Sequence, residues 1–499
     1  MTDTLLAMTR MLMVWLVGVI FVGAQETKID PKVSQAIRGG RSTGVILLGK
    51  RQLLEGPKGF PDFCAQNKAA KRTRLRPKII AQLKAIAKAD QAKLRKELKL
   101  PKEAKGLWLV NGIAVTLPPE AIRAAAKSAN VKYIYPSGPI PRGGIRGRIS
   151  EVLPKAKRKP FSTKDKKIPW NIKAVGADTV WSELKITGRG AVVAMFDSGV
   201  NYRHEDLRNN IWTNPGEQAN NGRDDDGNGL VDDYYGFNFR TMHPEIIAQG
   251  PRQHGTWTSG IVGGDGTGGT ITGLAPEAKL MMLMGWGGSY AAARVHEYAL
   301  EMGADVMNMS FSIPNLGHTR GLWRLMSEHA TAAGLVLVSG AGNFQREPKP
   351  VQLRIPEGIP CVIAAGGVDR DMKIPSFVSL GPVEWGSVKF YGDHPMPKGL
   401  IKPDVCGFPT GGYAMLSSKN RGYMDPKLRL QGNSFSGPHV AGTVALMLSA
   451  NPNLTTWRVK EILEATATDL GPKGKDNDTG YGLLNALAAV KTALAEKAK

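Results

Sequence analysis

Short apolar runs alternate with amphipathic stretches throughout the second half of the chain, beginning at about Pro169. The unbroken runs lie at residues 191–196, 280–284, 306–309, 335–338 and 361–365. Runs of this length without polar alternation are typical of parallel strands that are covered on both faces. Between them, residues 291–302 and 322–333 have helical spacing and are followed by Gly303 and Gly334, where a glycine can end a helix. The pattern predicts an α/β fold with a doubly wound, mostly parallel sheet flanked by helices.

The residues from about 42 to 136 predict a smaller α+β unit. A strand at 44–48 precedes a lysine-rich helix, and strands at 106–115 and 131–135 flank a second helix at 119–128. The helical spacing of the first helix is carried by Ile79, Ile80, Leu83 and Ile86. We assign these elements to the β-α-β-β-α-β order of a ferredoxin-like domain, which has one strand more than the three named here. Residues 137–168 are rich in proline, glycine, lysine and arginine, so we expect an exposed basic linker there.

The first 24 residues have the pattern of a secretory signal peptide. Arg10 precedes an apolar run at 11–23, and Val22-Gly23-Ala24 is a small-residue cleavage site. The run is about a dozen residues long, whereas a helix that spans a bilayer needs roughly 20. We therefore expect a signal that is cleaved rather than a stable membrane anchor, and a secreted protein that ends in a periplasm or outside the cell.

The net charge of +23 is carried by the first part of the chain. Residues 25–168 contain 34 Lys and Arg against 10 Asp and Glu, whereas residues 169–499 contain 31 against 32. Such a basic segment suits an anionic partner such as nucleic acid. Because neither an RNP-type aromatic motif nor zinc-ligand spacing accompanies it, we expect no nucleic acid partner. Two explanations of the charge stay open, which are binding to an anionic surface and solubility alone.

Three cysteines, Cys64, Cys361 and Cys406, are too few for a dense disulfide framework in an exported chain of this length. The sequence allows one bridge between Cys361 and Cys406, and it equally allows two buried free thiols. A hydrophobic core, rather than disulfides, is therefore expected to hold the chain together.

The segment GNSFSGPHVAG, residues 432–442, places Ser434 at the beginning of a predicted helix. Val440, Val444 and Leu448 form an apolar stripe along this helix. Serine is a favoured helix cap and Pro438 suits the first turn, so a structural role is one explanation of the motif. Catalysis is the other, because backbone N–H groups at a helix N-terminus stabilise an oxyanion.

Two further segments favour catalysis. AMFDSGV ends a buried-strand pattern with Asp197, and RQHGTWTSG places His254 before small residues that can begin a helix. Alone, an aspartate at a strand end is usually a turn former, and a lone histidine is usually a satisfied polar residue. Together, the order Asp197, His254, Ser434 is one of the chain orders of a Ser-His-Asp catalytic triad.

These segments resemble the three signature segments of the subtilisin-like serine proteases. SGAGN, residues 339–343, is similar to the strand and turn that carries the family's oxyanion asparagine, which is Asn343 here. The resemblance covers roughly residues 169–490 and includes KPDV at 402–405 and GYGLLNA at 480–486. It implies that Ser434 attacks a peptide carbonyl while His254 moves the proton. It further implies that Asp197 orients the imidazole and that Asn343 stabilises the oxyanion.

The resemblance also implies where a peptide substrate binds. GADVMNMSFS, residues 303–312, is similar to a substrate-binding strand, and the implied substrate-binding residues are Ser310, Phe311, Ser312, Gly340, Ala341 and Gly342. The chain departs from the family pattern nearby. Asn433 and Phe435 stand where the family commonly has Thr and Met. Ser312 stands near the place of a glycine that opens the S1 pocket, and Phe344 replaces a small or acidic residue, so the cleavage preference stays open.

The segment NNGRDDDGNGLVDDYYGFNF, residues 220–239, predicts a calcium site. Its opening fits D-x-D-x-N-G, and the expected ligands are Asp224, Asp226, Asn228, the Leu230 carbonyl and Asp232, with Asp233 as an alternative to Asp232. Tyr235 stands where an EF-hand has its bidentate glutamate, so the loop is not a complete EF-hand. Five carboxylates within ten residues repel one another unless a cation or solvent separates them, and we favour structural Ca²⁺ over a solvated acidic loop.

Residues 25–136 resemble the inhibitory propeptide of the same family, through VNGIAVTLPPEAI at 110–122 and VKYIYPSG at 131–138. The expected organisation is a signal peptide at 1–24, a propeptide at 25–136, a linker at 137–168 and a catalytic domain at 169–499. The resemblance implies a propeptide that assists folding and then occupies the active-site cleft until it is cut, between about residues 135 and 169.

The expected protein is a monomeric, secreted serine endopeptidase that acts on proteins or peptides and processes its own propeptide, an intramolecular inhibitor. Two alternatives stay open. A catalytically silent relative would use the same cleft to bind peptides. An anionic-surface binder would use residues 25–168 and keep the unprocessed chain.

Overall fold

The computed structural model describes residues 28–141, 147–154, 160–247, 253–428 and 430–498. The predicted signal peptide at 1–24 lies outside the described residues, as do parts of the predicted linker. The chain divides into two compact units. The smaller unit comprises residues 28–53, Ala81–Arg142 and Gly287–Ala293, and the larger unit comprises Leu54–Ile80, Gly143–Trp286 and Arg294–Lys499.

The helices of the described residues are, in chain order, α1 (Pro31–Arg38), α2 (Gly56–Gln66), α3 (Arg72–Glu97), α4 (Pro119–Lys127), α5 (Trp170–Ala174), α6 (Ala177–Glu183), α7 (His254–Gly263), α8 (Ser289–Glu301), α9 (Thr319–Ala332), α10 (Ser436–Ala450), α11 (Thr456–Thr466) and α12 (Ala486–Lys497). The strands are β1 (Thr43–Gly49), β2 (Lys105–Leu107), β3 (Gly112–Leu117), β4 (Val131–Pro136), β5 (Val192–Phe196), β6 (Gly236–Asn238), β7 (Lys279–Met284), β8 (Val306–Met309), β9 (Val336–Gly340), β10 (Ile363–Gly367) and β11 (Val405–Gly407). Short 3-10 turns lie at Pro426–Leu428 and Asn433–Phe435.

The smaller unit is built on an antiparallel sheet with the strand order β2-β3-β1-β4. Val45 and Leu47 of β1 and Ile113 and Val115 of β3 bury their side chains in one core, because alternate residues of a strand share a face. The predicted strand at 106–115 is two strands separated by a turn at 108–111. Asn111 has a φ of 39° in that turn, a backbone conformation that asparagine tolerates better than most residues.

The larger unit is built on a sheet with the order β11-β10-β9-β8-β5-β7-β6, in which the paired strands are parallel. Each predicted apolar run overlaps a strand of this sheet, and the ends of run and strand differ by at most two residues. The predicted doubly wound α/β fold is therefore confirmed. The chain order reverses at β5, which pairs with both β7 and β8. In sheets of this kind, ligands bind at the carboxyl ends of the strands beside such a switch point.

Helix α10 runs through the core of the larger unit. Val440, Val444 and Leu448 are buried, as the predicted stripe requires, but so are nearly all other residues of the helix. A helix that is apolar on every side is buried on every side. Gly437 allows the close approach to the sheet, since a Cβ there would lie 3.0 Å from the backbone nitrogen of Gly340. The N-terminus of α10 is thereby held against the carboxyl end of β9.

The cysteines are free thiols, so the bridge between Cys361 and Cys406 that the sequence allowed is not formed in this structure. Both side chains are buried, and the Cys406 Sγ donates to the carbonyl of Thr479 at 3.3 Å. Burial raises the pKa of Cys361 to about 12, so this thiol stays protonated. In the part of the chain that the structure describes, no helix has the length and apolar character of a membrane span.

The division into units does not follow the predicted boundary at residue 136. Residues Leu54–Ile80, which comprise α2 and the first part of α3, belong to the larger unit, although the sequence placed them in the propeptide. The rest of α3 belongs to the smaller unit.

Candidate active site

Asp197 follows β5 directly, and His254 begins α7. The imidazole Nδ1 lies 2.8 Å from Asp197 Oδ1 and 3.0 Å from Oδ2. The Asp197 carboxylate is buried and also accepts hydrogen bonds from the backbone N–H of Ser198 and the hydroxyl of Thr258. Its two oxygens are thus held by three donors, which fixes their orientation toward the ring.

The electrostatic setting of His254 matters for its role as a base. Burial disfavours the protonated imidazole, but the negative charge and hydrogen bonding of Asp197 outweigh it and raise the pKa of His254 above its ordinary value. The side chain keeps 30% exposure, so one edge of the ring is open to an incoming group. A histidine poised in this way suits proton transfer near neutral pH.

Ser434 lies in the 3-10 turn Asn433–Phe435, immediately before α10. Among the described residues, its hydroxyl donates to the carbonyl of Ser310 at 3.3 Å and not to His254. The next residue, Phe435, stacks its ring on the imidazole of His254 with a centroid distance of 6.1 Å. The serine and the histidine therefore lie on neighbouring segments, and a rotation about χ1 of Ser434 redirects the hydroxyl. Catalytic hydrogen bonds are often long or misaligned without substrate.

Asn343 follows β9 and lies beside the serine turn. Its side-chain oxygen accepts a hydrogen bond from the backbone N–H of Asn433 at 2.7 Å. This bond leaves the amide NH₂ as the free end of an exposed side chain. Gly340 permits the contact of the two segments, because a Cβ at that position would lie 2.1 Å from the carbonyl oxygen of Asn433.

The other residues implied to bind substrate flank this pair. Ser310 follows β8, and its hydroxyl donates to the carbonyl of Ser434 at 2.9 Å. Phe311 packs edge-on against Phe196 and Trp286, at ring-centroid distances of 4.8 and 4.3 Å. Gly340, Ala341 and Gly342 are buried at the end of β9. The structure thus brings the two predicted substrate-binding segments to the same edge of the sheet as Asp197, His254 and Ser434.

Sequence reasoning missed Glu357, which lies behind these segments. Its carboxyl group is fully buried and accepts hydrogen bonds from the Ser312 hydroxyl at 2.6 Å and from the backbone N–H of Arg354 at 2.9 Å. Burial raises the pKa of Glu357 to about 7. A Cβ on Gly342 would lie 3.2 Å from this carboxyl group, so an acidic side chain borders the predicted substrate-binding residues. A lone glutamate within the apolar stretch IPEGIP was the available signal.

The acidic loop brings together a set of carboxylates that differs from the expected one. Glu217, Asp226 and Asp233 place carboxylate oxygens within 4.8 Å of one another. Asp232 instead accepts hydrogen bonds from the backbone N–H groups of Asn221 and Gly222. Of the expected residues, Asp226 and the alternative Asp233 are therefore in the cluster.

The remaining expected ligands hold the loop in shape. Asp224 accepts hydrogen bonds from the backbone N–H groups of Asn228 and Gly229. The Asn228 side-chain oxygen accepts from the N–H of Leu230, while its amide donates to Asp226 and Asp233. Sequence reasoning missed Glu217 because it precedes the D-x-D-x-N-G motif.

The cluster fits a divalent cation. Glu217 Oε2 is buried and has no hydrogen-bond partner, and burial raises the pKa of Glu217 to about 7. Three carboxylates that share a small volume and include an unpartnered oxygen are destabilised by desolvation and mutual repulsion. Ca²⁺ prefers such oxygen ligands and would remove both costs.

Comparison with known proteins agrees with this geometry. The family model described as "Subtilase family" matches residues 188–482. The chain belongs to the subtilase family. It is similar to Subtilisin-like protease 1 of Plasmodium berghei, with 27% identity over 61% of this chain and 50% of that protein.

Two further relatives extend the comparison. Fervidolysin of Fervidobacterium pennivorans is 28% identical over 64% of this chain and 43% of that protein. Subtilisin E of Bacillus subtilis is 25% identical over 87% of this chain and 94% of that protein. The chain thus spans about half or less of the first two relatives, whereas its match to Subtilisin E extends well into the residues before 169.

Proposed function

We propose that the protein is a serine endopeptidase that hydrolyses peptide bonds through Asp197, His254 and Ser434. The observation that carries the proposal is the short pair of contacts between His254 Nδ1 and the Asp197 carboxylate, beside the turn that carries Ser434. Family membership and the protease names of its relatives support it.

In this mechanism, the Asp197 carboxylate holds the proton on Nδ1, so Nε2 of His254 is free to accept the Ser434 proton as its oxygen attacks the peptide carbonyl. The negative charge of the tetrahedral intermediate is held by the backbone N–H of Ser434 and the side-chain NH₂ of Asn343. His254 then donates the proton to the leaving amine, and water releases the acyl group by the same route.

A fluorophosphonate probe tests this assignment directly. We expect the purified protein to react with one equivalent of probe at Ser434, because His254 makes that hydroxyl alone nucleophilic among the serines of the chain. Peptide mapping by mass spectrometry locates the label. Attachment of the probe elsewhere, or no attachment to folded protein that binds peptides, would favour the catalytically silent alternative. The hydrogen bond from the Ser434 hydroxyl to the Ser310 carbonyl is the one specific observation that supports this alternative.

For the N-terminal part, we propose an inhibitory propeptide that the enzyme removes, after a signal peptide directs export. The extent of the match to Subtilisin E supports this. Within the smaller unit, the Ser137 carbonyl accepts a hydrogen bond from the Tyr290 N–H at 2.9 Å. The chain that leaves β4 therefore contacts residues 287–290, where Gly138 also packs against Gly287 and Gly288.

We propose that Glu217, Asp226 and Asp233 hold a structural Ca²⁺. The ion would neutralise three carboxylates and tie Glu217 to the loop that follows it. In the Ser434→Ala protein, which cannot digest itself, saturating Ca²⁺ at about 100-fold its Kd should raise the free energy of unfolding by about 2.7 kcal/mol over the chelator-treated state. Thermal unfolding with and without a chelator measures this difference.

The Glu217→Gln variant tests whether the Ca²⁺-dependent stabilisation comes from this cluster or from another site. It should lose most of the Ca²⁺-dependent stabilisation, since it removes the charge of the unpartnered ligand. Asp225→Asn is the matched control, because Asp225 lies in the same loop but outside the cluster. Equal Ca²⁺ responses from the two variants would rule out the proposed ligand set.

A further inference from the structure

Residues Leu54–Ile80, here called the docking arm, are packed into the larger unit by specific contacts. The backbone N–H of Leu54 donates to Nε2 of the buried His329 at 3.1 Å. Phe63 of α2 meets Trp457 of α11 edge-on, with ring centroids 5.9 Å apart. Thr73 donates to the Asn453 side chain at 2.6 Å. The arm therefore contacts α9, α11 and the segment that joins α10 to α11.

Arg72 is the most deeply buried charged residue of the arm, with 5% exposure. Its guanidinium donates to the carbonyls of Pro452 and Gly334, each at 3.1 Å, and forms an ion pair of 2.8 Å with Asp305. One turn later, Arg76 donates to the carbonyl of Leu300 at 3.0 Å. Each donor group of the Arg72 fork thus faces an acceptor.

The acceptors share a structural origin. Leu300 lies in the last turn of α8, while Gly334 and Pro452 lie two residues beyond the ends of α9 and α10. Helix C-termini present unsatisfied carbonyls and a partial negative charge. Asp305, just before β8, adds a full negative charge to them. We call this group of one carboxylate and three carbonyls the arginine socket.

The arginine socket is remote from the catalytic residues. Ser434 lies at the N-terminus of α10, and Pro452 lies beyond its C-terminus. The 15 residues of this helix correspond to about 22 Å. Asp305 and Gly334 precede β8 and β9, whereas Ser310 and Asn343 follow them, so the socket occupies the amino edge of the sheet.

We propose that the docking arm, through Arg72 in the arginine socket, keeps the N-terminal segment bound to the catalytic part after the chain between them is cut. The proposal rests on the proposed function only in that the enzyme would make this cut in the cell; the binding of the arm does not depend on catalysis. The arginine socket is a binding site independent of the catalytic residues, and its occupant is the docking arm, the chain's own residues 54–80. Loss of the arm would leave the Asp305 carboxylate, whose side chain is 14% exposed, without its cationic partners Arg72 and Arg76, which makes dissociation slow.

The test supplies its own cut, so that it does not depend on catalysis. A recognition sequence for an unrelated, narrow-specificity protease is inserted between Gly138 and Pro139, which are both exposed, in the full-length Ser434→Ala chain. After folding and cleavage, the fragments should co-elute in size-exclusion chromatography. The dissociation rate of the N-terminal fragment is then measured with the C-terminal fragment immobilised. Rapid separation of the unmodified pair would overturn the proposal.

Residues 287–293 belong to the smaller unit but lie on the C-terminal fragment, so contacts within that unit could also hold the two fragments together. Variants of the arm therefore test whether the arm is responsible for the retention. Arg72→Ala should raise the dissociation rate by about 30-fold or more, as expected when one partner of a buried charge pair is removed. The matched control is Arg74→Ala, an exposed arginine two residues away, with a change of about twofold or less. Equal rates for the two variants would reject Arg72 as the anchor.

Two further measurements cover the remaining outcomes. If the Arg72→Ala chain does not fold, Arg72→Lys keeps the charge but loses the fork, and it should still dissociate faster than the Arg74→Ala control. Raising salt from 0.1 to 1 M should change the rate less than Arg72→Ala does, because a buried pair is screened little. A salt effect as large as that of the variant would assign retention to surface charge instead.

Discussion

Replacing Ser434 with alanine should lower the rate of peptide-bond hydrolysis by about 10⁶-fold, a magnitude taken from subtilisin rather than from this geometry. The variant retains the oxyanion donors and the peptide-binding segments but has no nucleophile. A chromogenic or quenched-fluorescent peptide measures the residual rate. Intact-mass analysis of the same preparation should find the chain uncut between residues 135 and 169, whereas the parent protein is cut there.

The control for this variant is Ser449→Ala, at the other end of α10, where the hydroxyl donates to the Arg189 carbonyl. It should retain full activity and full processing. Residual hydrolysis by purified Ser434→Ala protein at more than about a thousandth of the parent rate would contradict the role of this serine, provided that an inhibitor of contaminating proteases does not remove it.

Replacing Asp197 with asparagine should lower kcat by about 10⁴-fold, by analogy with the same change in another serine protease. An asparagine amide presents N–H to Nδ1 of His254, which favours the imidazole tautomer with its proton on Nε2. That tautomer cannot accept the Ser434 proton. Because the side chains have nearly the same size, far-UV circular dichroism and the melting temperature should change little.

The pH dependence of the Asp197→Asn variant gives a second readout with a definite sign. The Asp197 carboxylate raises the pKa of His254, and only the neutral imidazole acts as a base. Removing the negative charge lowers that pKa, so the acidic limb of the residual activity should move to lower pH than in the parent enzyme. An unmoved limb, or a loss of less than tenfold, would mean that Asp197 does not orient the base.

The local pattern of the sequence was sufficient to predict most strands of the larger sheet and to select the candidate catalytic residues. Unbroken apolar runs predicted β5 and β7 to β10 because strands of a covered parallel sheet are buried on both faces. Asp197 follows such a run, so its place at a strand end followed from the same pattern. Strands β6 and β11 were not predicted, because three residues carry too little periodicity.

The metal cluster was only partly predictable. The D-x-D-x-N-G motif identified the loop, but it favoured Asp232 as a ligand over the alternative Asp233, whereas Asp233 is the residue that lies with Asp226 and Glu217. One residue of difference reverses the direction of a side chain, and the turn geometry that decides it depends on contacts with Asn221 and Gly222. Glu217 carries no signal of its own, since an isolated glutamate in a polar loop is usually exposed.

The contacts of the docking arm could not be predicted from the sequence either. Lysines and arginines crowd residues 68–78, and the sequence does not distinguish Arg72 from Arg74. Burial distinguishes them, because Arg72 reaches the carbonyls of Pro452 and Gly334 and the carboxylate of Asp305, whereas Arg74 is exposed. The acceptors come from segments that lie more than 200 residues further along the chain.

The sequence by itself determined the fold class, the catalytic candidates and the family, because strand burial and signature segments are encoded over a few consecutive residues. Tertiary structure alone decided that Glu217 joins the acidic cluster, that Glu357 borders the substrate-binding residues and that Arg72 is the buried arginine. Each of these depends on which distant segments meet, and the free energy of burying a charged group depends on the partners it finds there.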